Sequence, residues 1–369
     1  MDEKLIKEIQ SRVKGVPVIG GRSSKLGKIS FDDLIFVPAQ LVKRPVDYYR
    51  EKINSETVIG KNSKKPIKIQ TPIVIGGMSF GSLNKEAKVA LAQAATLAGT
   101  CANTGEGGML EEERKEAKHL ILQYSTGRFG ITEEVLKKAD AIEIKIGQGA
   151  KAGMGGFLPG SKVTEEIAKI RKVEVGKDIH SPAAHPDIKN IEELKERIDW
   201  LRKLTGGVPI ILKLGACEAE DVRLAVKANP DVIAIDGMEG GCGAAPRVML
   251  DEVGIPTIPA LVKARKVLDE EKASQELWVG GGLNIGGDMA KALALGADAV
   301  FLGYSLMIAI GAEGEEEKSQ KIANFIKNCT EEIKLIAGAV GKDNIHDLSR
   351  DDLRALNSEI AKITKIKLV

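Results

Sequence analysis

A carboxylate lies among glycines in the segment NTGEGG, residues 103–108. Glu106 has no bulky neighbour there, so we expect its side chain to project into open space, where it could orient a substrate ammonium group or take part in proton transfer. The residues alone leave one alternative open, in which the Glu106 carboxylate only accepts hydrogen bonds from its own turn. The segment GGMSFGS (76–82) is a second glycine-rich stretch, and it follows an apolar run that reads as a buried strand.

Three charged residues interrupt other apolar runs. Glu143 and Lys145 lie in AIEIKIG, and Lys213 lies in IILKLG. Burying a charge is costly unless it is paired or serves a ligand. A lysine at a strand end could hold the negative charge of a reduced flavin at its pyrimidine side, whereas an ion pair between Glu143 and a lysine is the structural alternative.

Glycine-rich loops follow three of the later apolar runs. They are EGGCGAAP (239–246), VGGGLNIGG (279–287) and FLGYS (301–305). Glycines let backbone amides approach an anion closely, so the loops predict a phosphate site, with tight turns as the alternative. An extended ligand such as flavin mononucleotide (FMN) would fit three such loops, and a substrate phosphate is the rival ligand.

The histidines and cysteines do not predict a metal site. His180, His185 and Asp187 lie in HSPAAHPD, where prolines break up the spacing, so metal ligation is not expected. The four cysteines are far apart and form no C-x-x-C pair, which favours reduced thiols over disulfides or zinc. Cys242 could lie near a flavin ring, but no adjacent residue supplies a base.

Composition excludes several classes of partner. The 54 Lys and Arg residues nearly balance 52 Asp and Glu residues, with both signs interspersed, so neither nucleic acid nor an anionic membrane is an expected partner. The longest apolar stretch (299–312) is too short to cross a bilayer, and the N-terminus lacks the apolar run of a signal peptide. We expect a soluble, cytoplasmic protein.

Eight short apolar runs alternate with amphipathic segments, as in strand–helix units around a parallel sheet. The predicted strands span 72–78, 100–105, 120–125, 141–147, 209–215, 232–238, 277–282 and 299–305. Helices are predicted over 84–99, between Asn84 and Gly99, and over 190–207 from Asn190. Eight such units predict an α/β fold, a (β/α)₈ TIM barrel, although an open doubly wound sheet accounts for the same alternation.

The part of the chain over which strands and helices alternate also predicts a domain organisation. We expect an N-terminal extension packing on the barrel (1–70), the barrel itself (71–312), which would bind FMN if the extended ligand of the glycine-rich loops is FMN, and a C-terminal helical tail (313–369). The Gly-, Pro- and His-rich stretch at about 150–190 is expected to be a functional loop.

The motifs together resemble the FMN-binding synthase domain of glutamate synthases, in the stand-alone form of archaeal-type enzymes and of methylglutamate synthase. The likeness runs from about Ile29 to Ala312 and favours the barrel. In chain order the motifs are GGMSFGSLNKEAKVALA, NTGEGGM, GRFGI, ADAIEIKIGQGAKAGMGG, HSPAAHPDI, KLGA, IDGMEGGCGAAP and GADAVFLG.

The resemblance implies a reaction in which ammonia condenses with 2-oxoglutarate and reduced FMN delivers a hydride to the resulting iminoglutarate. Carried over by motif, Glu106, Lys151 and Arg171 would contact the 2-oxo acid, with Glu106 and Lys151 as the catalytic residues. Two cations would suit a dicarboxylate. The residues assigned to FMN are Met78, Ser79, Lys213, Gly241, Gly243, Gly281, Gly282 and Gly303, and Glu143 is added to them from its place in a strand.

The sequence departs from the family pattern at several positions. Phe157 stands where the family usually has a glutamine that touches 2-oxoglutarate, so a hydrogen bond would be lost and the acid pocket reshaped. Cys242 replaces a threonine. Ala312 falls where the first iron–sulfur cysteine is expected, and Cys329 alone cannot bind a cluster, so no iron–sulfur cluster is expected.

From this resemblance we expect a glutamate-synthase-like oxidoreductase that reduces an imino acid formed from a 2-oxo acid and ammonia or an amine. No glutaminase domain is apparent, so separate glutaminase and electron-donor subunits are expected partners, and the chain itself is expected to form a homo-oligomer. The alternatives are amine transfer like that of methylglutamate synthase and a non-catalytic or partner-dependent FMN-binding subunit.

Overall fold

The apolar runs form eight parallel strands in the computed structural model, which describes Gln10, residues 19–23 and residues 29–369. All eight predicted strands are present. In chain order they are β1 (Ile73–Ile75), β2 (Cys101–Asn103), β3 (His119–Tyr124), β4 (Ala141–Lys145), β5 (Ile210–Gly215), β6 (Val232–Asp236), β7 (Glu276–Gly280) and β8 (Ala299–Leu302).

The first strand pairs with the last, which makes the sheet a barrel. Parallel ladders join neighbours in chain order from β2 round to β8, and β8 pairs with β1 through Phe301 and Val74. β1 and β2 lie side by side without a ladder of their own, so the barrel is nearly closed. This pairing excludes the open doubly wound sheet, and the predicted (β/α)₈ fold is confirmed.

Helices cover the outside of the barrel. The longest, α11, carries the predicted apolar face of the C-terminal tail and packs against α1 and α9. In the described residues the α-helices are α1 (Lys85–Ala98), α2 (Glu111–Glu116), α3 (Glu133–Lys137), α4 (Glu165–Arg171), α5 (Ile191–Thr205), α6 (Ala219–Ala228), α7 (Arg247–Glu252), α8 (Thr257–Glu270), α9 (Gly286–Ala294), α10 (Tyr304–Ile310), α11 (Lys318–Ala339) and α12 (Ser358–Thr364).

Two of these helices begin and end where the sequence predicts. The side-chain oxygen of Asn84 accepts a hydrogen bond from the Ala87 amide at 2.9 Å, and Gly99 ends α1 with a left-handed φ of 70°. Asn190 caps α5 in the same way through the Glu193 amide at 2.9 Å. The caps fix where each helix starts relative to the strand before it.

A β-hairpin closes the amino-terminal end of the barrel. Its strands Thr57–Ile59 and Ile67–Ile69 pair antiparallel. Their buried isoleucines pack against inward-facing side chains near the strand beginnings, including Trp278. The hairpin therefore seals one end, so that only the carboxyl end of the barrel remains for a ligand.

The residues before the hairpin lie against the C-terminal tail. Strand Leu34–Phe36 pairs antiparallel with Leu353–Ala355. The domain boundaries predicted at residues 70 and 312 stay predictions, and much of residues 1–28 lies outside the described ranges. No helix in the part of the chain that the structure describes has the length and apolar character needed to span a bilayer.

Glu276 is a buried carboxylate near the hairpin. It is 2% exposed; its Oε1 accepts a hydrogen bond from the Lys61 amide at 2.9 Å, and its Oε2 has no partner among the described residues. Burial is the largest influence on this group and raises its pKa to about 7. The folded protein therefore holds a proton on Glu276 at mildly acidic pH, where the unfolded chain does not.

We predict that replacing Glu276 with Gln stabilises the protein at pH 8 but not at pH 4. Because the folded-state pKa is raised, stability falls as pH rises from the unfolded value to about 7, by on the order of 3 kcal/mol, and Gln removes that loss. Thermal unfolding of both proteins across this range measures the effect, with exposed Glu313→Gln as the control. Parallel pH profiles for wild type and Glu276→Gln would contradict the assignment.

Candidate active site

A cavity of about 450 Å³ opens at the carboxyl end of the barrel, and each of the eight strands or its following loop contributes to the lining. Strand Ile19–Gly21 pairs antiparallel with Cys242–Pro246 and brings Arg22 to one side of it. All predicted site residues except Glu143 line the cavity. They are Met78, Ser79, Glu106, Lys151, Phe157, Arg171, Lys213, Gly241, Gly243, Gly281, Gly282 and Gly303.

Glu143 lies below the cavity in a buried polar network. Its Oε2 accepts a hydrogen bond from Asn103 Nδ2 at 3.0 Å, and its Oε1 accepts one from Gln123 Nε2 at 2.6 Å. Lys213 Nζ is 3.9 Å from Oε1. Glu143 therefore does not line the cavity. Its position agrees with the structural alternative, an ion pair with a lysine.

Lys213 forms part of the cavity floor, and two carboxylates hold its charge. Its Nζ is 3.6 Å from Asp236 Oδ2, in addition to its pairing with Glu143. Burial acts to lower the pKa of Lys213, but the two carboxylates outweigh burial and raise it. Lys213 is therefore a fixed cation beneath whatever occupies the barrel mouth.

Glu106 and Lys145 form an ion pair in the cavity wall, with Lys145 Nζ donating to Glu106 Oε2 at 3.2 Å. Burial is the largest single influence on Glu106 and acts to raise its pKa, but Lys145, Ser181 and Lys151 together lower it. Burial lowers the pKa of Lys145. Oε1 of Glu106 is buried and has no hydrogen-bond partner among the described residues, so it is left for a donor that a ligand brings.

Lys151 and Arg171 are two further buried cations on the cavity, each 5% exposed. Arg171 is engaged by backbone: its Nε and Nη2 donate to the Phe80 carbonyl at 3.2 and 2.6 Å, and Nη2 also donates to the Glu106 carbonyl at 3.1 Å. The Lys151 side chain forms no hydrogen bond or ion pair with the described residues. Lys151 is therefore the cation most available to an anionic ligand.

The glycine-rich loops leave open space at the other side of the cavity. A Cβ built on Gly243 or Gly303 would meet no atom within 4 Å, although both residues line the cavity. Gly281 has a left-handed φ of 102°, and a Cβ there would lie 2.8 Å from the Gly237 carbonyl oxygen. The backbone of these loops is thus open to a ligand, and the anion site predicted from their glycines stays a prediction.

A buried lysine outside the cavity ties two of its loops together. Lys88 Nζ donates to the carbonyls of Met78 at 2.8 Å, Asn103 at 3.2 Å and Thr104 at 2.8 Å. Its charge is paired with Glu113 Oε1 at 2.7 Å, and neither side chain is more than 1% exposed. Lys88 therefore positions the loops after β1 and β2, which carry Met78 and Glu106.

The residues considered as metal ligands are used in other contacts. Arg128 donates to His185 Nδ1, so His185 Nε2 carries the ring proton and donates to the Lys145 carbonyl at 2.9 Å. Burial, then Arg128, lower the pKa of His185 to about 4. Asp187 pairs with Arg128 at 2.7 Å and with Arg197 at 2.9 Å. No three His, Cys, Asp or Glu side chains of the described ranges are grouped as a metal site.

Three further residues line the cavity without a role predicted from the sequence, namely Gln123, Asp236 and Arg22. Gln123 and Asp236 face the barrel interior two residues after the buried Ile121 and Ala234, so the period-two alternation of the strands could have located them. Arg22 has no such signal, because its position depends on the distant pairing of its strand.

Comparison with known proteins gives consistent matches over nearly the whole chain. A family model described as the conserved region in glutamate synthase matches residues 29–315. A glutamate synthase large subunit-like protein of Rhizobium meliloti is 37% identical, covering 100% of this chain and 94% of that protein. An archaeal glutamate synthase [NADPH] of Methanocaldococcus jannaschii is 35% identical over 97% of this chain and 82% of the relative.

Among solved structures, a mandelate oxidase with a bound difluorinated hydroxy acid superposes with a TM-score of 0.61 at 18% identity, covering 91% of this chain and 92% of that one. A mandelate oxidase variant with (S)-mandelic acid gives a TM-score of 0.62 at 18% identity, covering 95% and 98%. At this identity the likeness concerns the fold, and it agrees with the barrel described above.

We predict that replacing Lys88 with Met lowers the free energy of unfolding by about 3–5 kcal/mol, because the buried Glu113 carboxylate loses its counter-charge. The double variant Lys88→Met with Glu113→Gln should recover part of that loss. Urea denaturation of the three proteins measures both effects. A single variant as stable as wild type, or a double variant less stable than the single one, would contradict the pairing.

Proposed function

The chain belongs to the glutamate synthase family, and from that premise we propose that it is an FMN-dependent oxidoreductase. Its proposed reaction is reduction of an imino acid, formed from a 2-oxo acid and ammonia or an amine, to the amino acid. A nitrogen source and an electron donor on separate subunits belong to the same proposal.

The observation that carries the proposal is the arrangement around Glu106. One carboxylate oxygen is held by Lys145, and the other, Oε1, is buried and has no partner within the described part of the chain. The Lys151 ammonium, which pairs with no other described residue, acts on the same carboxylate through space. A 2-oxo acid converted to its imine brings a carboxylate for Lys151 and an N–H donor for Glu106, so it complements both groups.

The other side of the cavity fits FMN. The space beside Gly243 and Gly303 would be filled by any side chain, and the backbone of the loops after β7 and β8 could approach a phosphate there. Lys213 in the floor offers a fixed positive charge for the pyrimidine edge of the ring. When bound in its reduced form, FMN supplies the hydride of the reaction.

Lys151, Glu106 and Lys145 have separate roles in the proposed reaction. Condensation of ammonia with the 2-oxo acid releases water and forms the C=N bond; a hydride added to carbon and a proton added to nitrogen then complete the amine. Lys151 binds the carboxylate, and Glu106 Oε1 accepts the N–H hydrogen bond and orients the nitrogen. Lys145 Nζ, whose pKa burial lowers, is placed beside Glu106 as a proton source.

Replacing Gly303 with Val should weaken FMN binding by about 10- to 100-fold, because the added side chain enters the cavity. Its φ of −128° lies outside the left-handed region that favours glycine, and circular dichroism of the variant checks that it is folded. Fluorescence titration of the apoprotein with FMN measures the affinity. Gly311→Val is the control, because Gly311 is exposed and lies outside both the cavity lining and the glycine-rich loops. Unchanged FMN affinity in Gly303→Val would refute the placement.

The reaction is tested by anaerobic reoxidation. Holoprotein reduced with dithionite and mixed with a 2-oxo acid and ammonium should regain oxidised flavin absorbance and form an equivalent amount of amino acid. Lys151→Met should slow this about 10- to 100-fold while the protein stays yellow, because a charge-assisted contact is lost. Lys162→Met, an exposed lysine of the same region, is the matched control. Flavin that stays reduced with every 2-oxo acid and amine tried would contradict the proposed function.

A further inference from the structure

We propose that the acid pocket selects a 2-oxo acid with an apolar side chain, branched aliphatic or aromatic, over one with a second carboxylate, and that Phe157 determines this specificity. The inference rests on the proposed function and names the substrate class of the same site.

An apolar wall lines the part of the cavity that belongs to the loops after β3 and β4. It is formed by Phe129, Phe157, Leu158 and Ile179. Leu158 and Ile179 belong to a small buried core of their own, against which Phe129 packs. The wall is therefore backed by packed side chains and cannot readily turn a polar group toward the ligand.

Phe157 is held in place by a cross-strand partner. It pairs with His180 in the short hairpin formed by strands Phe157–Leu158 and Ile179–His180. The two rings stack with centroids 4.8 Å apart and an interplanar angle of 26°. This stacking fixes the phenyl ring, so its face toward the cavity is a permanent apolar surface.

The wall lies next to the proposed reacting centre. Gly156, which directly precedes Phe157, donates its amide hydrogen to Ser181 Oγ at 2.6 Å. A Cβ built on Gly156 would be 3.1 Å from Glu106 Oε2. A 2-oxo acid whose nitrogen or oxygen meets Glu106 therefore extends its side chain along this wall.

The cations beside Glu106 are better arranged for one carboxylate than for two. Lys145 is paired with Glu106, and Arg171 has its Nε and both Nη2 hydrogens on backbone carbonyls, with the Phe129 ring 5.4 Å from its Cζ. Arg171 thus cannot offer a two-nitrogen fork to a carboxylate. Among the described residues beside Glu106, Lys151 is the cation with no hydrogen bond or ion pair of its own, and a second carboxylate would be desolvated against the phenyl rings of Phe129 and Phe157.

The test compares binding of three probes, phenylpyruvate, 4-methyl-2-oxopentanoate and 2-oxoglutarate, to FMN-loaded protein by flavin difference spectra. For wild type we expect at least about tenfold tighter binding of the first two. Phe157→Gln should lower that preference by about tenfold, whereas Phe157→Leu, which keeps the wall apolar, should hold it within about threefold. FMN content and far-ultraviolet circular dichroism check that each variant is folded.

Three other results would each be decisive. If wild type binds 2-oxoglutarate as tightly as the apolar acids, the inference is overturned and the proposed function stands. A preference unchanged in Phe157→Gln overturns the role of Phe157. If no 2-oxo acid perturbs the flavin of well-loaded protein and none reoxidises the reduced form, the proposed function itself fails, and this inference fails with it.

Discussion

The site depends on holding charged side chains, paired with one another, in the interior of the barrel. Lys213 is a cation in the barrel interior because Glu143 and Asp236 surround it, and Glu143 is in turn satisfied by Asn103 and Gln123. Removing one member would leave an unpaired charge, which costs far more than the pair contributes to stability. The network therefore explains why polar residues occupy the carboxyl halves of strands whose beginnings are filled by apolar side chains.

A second buried cation, Lys88, holds the loops after β1 and β2 in place. Lys88 lies on α1, yet its ammonium holds carbonyls at the ends of β1 and β2. The strand that must present Met78 and the strand that must present Glu106 are the two that share no ladder in the barrel. Lys88 thus connects β1 and β2, the two neighbouring strands that share no ladder. The proposed reacting centre lies at the carboxyl ends of the same two strands.

The sequence predicts the architecture well because each strand is a short apolar run bounded by glycine, and because Asn84, Gly99 and Asn190 mark helix ends by local chemistry. It also predicts most of the cavity, since glycine-rich loops after parallel strands meet at one end of a barrel. Local pattern could not predict the Lys88–Glu113 pair, because both residues read as ordinary polar positions of helices. The stacking of Phe157 on His180 depends on the pairing of two strands separated by a helix, which no short spacing reveals.

We propose that one cavity holds FMN against Lys213 and the glycine-rich loops, while Lys151 and Glu106 bind the acid and its nitrogen. A crystal structure of FMN-loaded protein soaked with a 2-oxo acid tests it most directly. We expect the phosphate at the loops after β7 and β8, the ring above Lys213, and the acid's carboxylate on Lys151 Nζ. An acid bound away from Lys151 and Glu106, or FMN bound outside the barrel mouth, would contradict it.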